Sequence, residues 1–87
     1  SGAEGLKILL RKHISDFETK KRVLDDFHLT HREEEVLQYL AQGLSNKEIA
    51  TALKLQVVTI KMHLRSICRK MNVKNRTQAA LKAAALF

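Results

Sequence analysis

Residues 45–71 read SNKEIATALKLQVVTIKMHLRSICRKM, and this stretch decides the fold. Ser45 is followed three residues later by Glu48, the spacing of a capping box in which side chain and backbone satisfy each other's open groups. A short helix therefore starts at Asn46, with Ile49, Ala50 and Leu53 on one side, and ends near Lys54. A second, longer helix follows from about Val57 to Met71. In it Ile60, Leu64, Ile67 and Met71 fall at helical spacing and make one apolar stripe. Its opposite side carries Val58, Lys61, Met62, Arg65 and Arg69, which is three cations, two apolar side chains and no acid.

Working outward, two more helix starts flank this pair. Thr30-His31-Arg32-Glu33 is a capping box opening a helix to about Ala41, with Val36, Leu37, Leu40 and Ala41 inward. Gly43 stands where a left-handed residue is wanted after it, and Leu44 can staple to Ile49 across the next start. Asn75-Arg76-Thr77-Gln78 opens a last helix to about Leu86, whose Thr77, Ala80, Leu81 and Ala84 oppose Ala79, Ala83 and Leu86. A helix apolar on both sides must bury both, so one side is expected to meet its own domain and the other a partner. Asn72 is expected to end the long helix, with Val73 folding back on the core. Upstream, Leu6, Leu10, His13, Phe17, Lys20, Leu24 and Phe27 recur every three or four residues. They predict an amphipathic linker helix over most of 4–26, with a possible break near Ser15, which makes its own capping box with Glu18.

Composition agrees with an all-α chain and excludes other classes. Its 87 residues contain no Pro, three Gly and a 45% apolar fraction, enough for a single core. One cysteine rules out an internal disulfide. No apolar run approaches the roughly 20 residues of a membrane helix, and no signal peptide is visible at the N-terminus. Ser1-Gly2 reads as a tag remnant on a fragment, so a regulatory portion is expected elsewhere. The charge of +7 is lopsided: residues 30–87 hold ten basic and four acidic side chains, and no acid follows Glu48. Such a field attracts polyanions.

A short helix, a tight turn and a longer helix with one apolar and one cationic side form a helix-turn-helix, and the major groove is wide and deep enough to admit such a helix. The same residues resemble a known family. Leu29-Thr30, Arg32-Glu33, Glu35-Val36-Leu37, Gly43-Leu44-Ser45-Asn46-Lys47-Glu48-Ile49-Ala50, Thr59-Ile60-Lys61, His63, Lys70 and Arg76-Thr77-Gln78-Ala79-Ala80 look like the LuxR-type (GerE/FixJ-type) DNA-binding domain, in one register over about 29–87. The resemblance implies a four-helix domain (29–87) after a linker (1–28), at the output end of a cytoplasmic bacterial transcription regulator. The two-component response regulator is the form expected.

Carried over by position, it assigns base contacts to Lys61, Met62, Arg65 and Val58. Phosphate contacts go to Ser45, Asn46, Lys47, Thr59, Arg69 and Lys70. A homodimer would form through Thr77, Ala80, Leu81 and Ala84. Duplex DNA, a second copy of the chain and RNA polymerase are the implied partners. Gln56 departs from the family, which places Ser or Thr there; the lost cap is worth about 1 kcal/mol.

Other chemistry finds little support. Cys68 is expected to be a small packed residue, His63 to sit at the core margin or touch phosphate, and Glu34 and Glu35 to be solvated. His28 and His31 lack companions at zinc-ligand spacing, so no metal or cofactor is expected. No nucleophile–base pair suggests an enzyme. The rival reading is a helical protein-interaction module without specific DNA binding.

Overall fold

The computed structural model describes residues 16–87. Residues 16–26 are helical (α1), followed by α2 (His31–Ala41), α3 (Asn46–Leu53), α4 (Val57–Met71) and α5 (Arg76–Ala84), with no strand among the described residues. Of the upstream seam, Leu6, Leu10 and His13 and the possible break at Ser15 lie outside the described residues. Within them, Leu24 and Phe27 lean half-buried on the core, while Phe17 is 68% exposed.

Two helix starts follow their boxes in full. Thr30 Oγ1 accepts from the Glu33 amide at 3.1 Å and Glu33 Oε1 accepts from the Thr30 amide at 2.8 Å. Ser45 and Glu48 repeat the exchange at 3.2 and 2.9 Å. The third box is only half formed. Asn75 Oδ1 accepts from the Gln78 amide at 2.9 Å, but Gln78 Oε1 accepts from Lys74, one residue too early, at 2.7 Å. The reason is backbone geometry: Asn75 has φ −153°, against −70° at Thr30 and −74° at Ser45. That rotation takes the Asn75 N–H out of reach of its own helix.

The ends are set by left-handed residues. Gly43, just past α2, has φ +90°, and Lys54 and Asn72 close α3 and α4 at φ 57° and 56°. Asn tolerates that conformation; Lys54 adopts it against a steric cost of roughly 1–2 kcal/mol. α5 stops at Ala84 instead of Leu86, because the amides of Ala85 and Leu86 donate only three residues back, to Lys82 and Ala83 at 3.2 and 2.9 Å, in a tightened last turn.

α4, like α2, touches each of the other helices from α2 to α5. Its Ile60, Leu64, Ile67 and Met71 meet Val36, Leu37 and Leu40 of α2, Ile49 and Ala50 of α3, and Ala79 and Ala83 of α5 in one core. Fully burying each large aliphatic side chain contributes about 1.5–3 kcal/mol. Ala79 and Ala83 are completely buried, so the apolar seat of α5 in the core is made of methyl groups. Val73 joins the core edge after its amide donates to the Cys68 carbonyl at 3.0 Å.

Candidate nucleic-acid interface

Burying one side of α4 forces the other outward. Val58 is 57% and Met62 68% exposed, unusual for side chains of that size, and Lys61, Arg65 and Arg69 are exposed beside them. Arg69 Nη2 donates weakly to Ser66 Oγ at 3.4 Å within the same helix. Thr59, at the start of the face, is half-buried. The face is thus cationic, partly apolar and, among the described residues, free of carboxylates on its own helix.

The start of α3 adds Ser45 and Lys47, both exposed, and Asn46, half-buried. Ser45 is occupied with Glu48 as described, and the backbone and side chain of Ser45 hold the Glu48 carboxyl below the usual range. Asn46 faces Arg76: the guanidinium Nη1 donates to Asn46 Oδ1 and Nη2 to the Leu44 carbonyl, the latter at 3.2 Å.

Lys70 has a partner inside the domain. Expected to meet phosphate, it turns inward, where Nζ donates to Glu33 Oε1 at 2.6 Å; the two side chains are 27% and 4% exposed. Burial alone would push the Glu33 carboxyl up. Hydrogen bonds from Lys70 and Ser66 and from the Thr30 backbone, with the charge of Lys70, overcome it and lower the pKa from 4.5 to about 2. Lys70 therefore joins α4 to α2. Glu33 does two jobs, capping α2 and neutralising Lys70. Nothing local reveals this, since the partners stand 37 residues apart. Lys82 is likewise turned to a carbonyl, that of Met71 at the end of α4, at 3.4 Å.

The remaining expectations fall out as follows. Glu35 is not simply solvated: its side chain is 33% exposed and pairs with His31 at 3.2 Å and Arg32 at 3.9 Å. Cys68 is half-buried, and burial raises its thiol pKa against the opposing charge of Arg76. His63 is half-buried beside the stripe. No group of three or more candidate metal ligands occurs among the described residues, and no helix there is long and apolar enough to cross a membrane. On α5, Thr77 and Ala84 are exposed, Leu81 is 70% exposed and Ala80 is half-buried, opposite the buried Ala79 and Ala83.

Against known proteins, the family described as "Bacterial regulatory proteins, luxR family" matches residues 28–83. The nitrate/nitrite response regulator NarP of Escherichia coli (strain K12) is 40% identical over 85 residues, 93% of this chain and 40% of that protein. The quorum-sensing regulator RhlR of Pseudomonas aeruginosa is 38% identical over 78 residues, 90% of this chain and 32% of that protein. A solved structure of the response regulator StyR superposes with TM-score 0.63 at 30% identity, covering 92% of this chain and 39% of that one. The chain spans about two fifths or less of the length of these relatives.

Proposed function

The chain belongs to the luxR family of bacterial regulatory proteins, and from that premise we propose how it works: α4 enters the major groove of duplex DNA and a second copy docks through α5. The observation that carries this reading is the outward side of α4, where Val58 and Met62 stand exposed among Lys61, Arg65 and Arg69. Large apolar side chains in water are explained by a surface that covers them, and cations between them by one that is anionic. A major groove is both: lysine and arginine donate to guanine O6 and N7, while a thymine methyl accepts Met62 or Val58. Lys61, Met62, Arg65 and Val58 read base edges in this scheme. Ser45, Asn46, Lys47, Thr59 and Arg69 hold the phosphates on either side.

NarP and StyR are response regulators by name, which favours the output domain of a two-component system over a ligand-sensing one. Such a regulator works in the cytoplasm, where the bacterial chromosome lies, and its effect is delivered to RNA polymerase. The family is one of regulatory proteins, not of enzymes.

Selection of bound duplexes from a random pool supplies a matched site. Lys61→Ala then weakens binding to that site by about 1–3 kcal/mol and relaxes preference at one base pair, with little change on random duplex. Arg69→Ala weakens both alike and flattens the dependence of log affinity on log salt by about 0.9. An equal loss on matched and random duplexes for Lys61→Ala would remove it from the base-reading set.

A further inference from the structure

Arg76 begins α5, yet its guanidinium reaches the turn between α2 and α3. It donates to Asn46 Oδ1 and to the Leu44 carbonyl, so it grips the residues on both sides of Ser45, the cap of α3. A guanidinium has donors only. Asn46 must therefore offer it the carbonyl end of its amide, and the NH2 end points away from it. Which end faces outward decides whether an asparagine attracts or repels an anion. Among the described residues, no protein acceptor takes the Asn46 NH2 group.

We infer that Arg76 is a positioning residue for DNA binding: it sets the Asn46 amide with its N–H donors toward the phosphate backbone. This rests on the reading of α3 and α4 as the DNA-contacting pair. Arg76 itself touches no phosphate in this arrangement. It stands next to Thr77, the first residue of the exposed side of α5, so the helix assigned to dimer contact and the amide assigned to the DNA backbone share one side chain.

The test is a double-variant cycle on the 87-residue chain, with affinities for matched and random duplexes measured across salt, and melting curves for every variant. Arg76→Ala and Asn46→Ala each weaken both duplexes by the same factor, about three- to tenfold for one lost hydrogen bond. The double variant binds within twofold of Asn46→Ala, and the salt slope of Arg76→Ala equals that of the wild type. Asn46→Asp keeps an acceptor for Arg76 and melts no lower than Asn46→Ala, but binds DNA more weakly, since it shows an oxygen where a donor stood. If Arg76→Ala fails to fold, Arg76→Lys, which keeps a single donor nitrogen in place of the two-armed fork, gives an intermediate loss in its place. Losses that multiply in the double variant overturn the proposal, as does wild-type binding by Asn46→Ala. A salt slope reduced by about 0.9 in Arg76→Ala also overturns it, by putting Arg76 itself on a phosphate. A wild-type chain that binds no duplex at low salt would instead remove the DNA-binding reading beneath it.

Discussion

Lys70 is one of eight basic residues after Glu48, and its ammonium points inward. A buried pair of this kind contributes little net stability compared with two apolar residues of the same size, because both ions lose water. Breaking it is different, since the survivor is left buried and charged. For Glu33 the pH dependence has a definite sign. Its folded pKa, about 2, lies below its ordinary value of 4.5, so the unfolded chain binds more protons between those pH values. The contribution is fully present above about pH 4.5 and disappears as pH falls through 2. A difference of that size corresponds to about 3 kcal/mol. Glu33→Gln is therefore expected to be about 2–3 kcal/mol less stable than the wild type at pH 7, with the gap closing between pH 5 and pH 2. Urea midpoints across that range check this. A gap that stays constant with pH would show that the lost contacts are not those of the charge.

At the scale of the element, α4 is the weakest-capped helix of the four that start within the described residues. Thr30, Ser45 and Asn75 each accept from a backbone amide in the first turn; Gln56 makes no such bond. Its backbone, at φ −81° and ψ 151°, already has the conformation a cap needs. Gln56→Ser should therefore raise stability by about 1 kcal/mol, or roughly 4–8 °C in melting temperature for a domain of this size. An unchanged melting temperature would mean that water already serves those amides as well.

The same comparison shows what could be read from the chain alone. Starts of α2–α5, and the ends and inward faces of α2–α4, were legible because caps and stripes are decided within four residues. The Gln78 bond was misplaced because it depends on a φ at Asn75 that composition does not disclose. Lys70 and Arg76 escaped for another reason. Their partners, Glu33 and Asn46, are brought up only by the docking of α2 and α3 against α4 and α5. In the sequence, Lys70 was one more cation in a basic run, and Arg76 one more residue of a helix start. The outward set Val58, Lys61, Met62, Arg65 and Arg69 was legible because excluding the buried stripe leaves it no other side.

For the whole molecule, the unused side of α5 is the feature that bears on assembly. Leu81 is 70% exposed between Thr77 and Ala84, with no fold to support from there. Leu81→Glu is expected to change stability by less than about 0.5 kcal/mol. It should bind a single half-site as the wild type does and lose at least about tenfold on a duplex with two half-sites, where the partner's docking is lost. Complex mass and affinity on both duplexes check the prediction. Equal behaviour of the two proteins on two half-sites would place the partner elsewhere.

The division of α4 into a packed stripe and an outward row also bears on how such a protein can vary. Ile60, Leu64, Ile67 and Met71 hold the domain together, while Val58, Lys61, Met62 and Arg65 make no contribution to its core. Most replacements at those four outward positions should leave folding intact. A library randomised there would consist mainly of folded proteins, and selection on it would act on recognition alone. A change of preferred operator could then arise in single steps, each viable as it occurs, without a compensating substitution elsewhere in the chain.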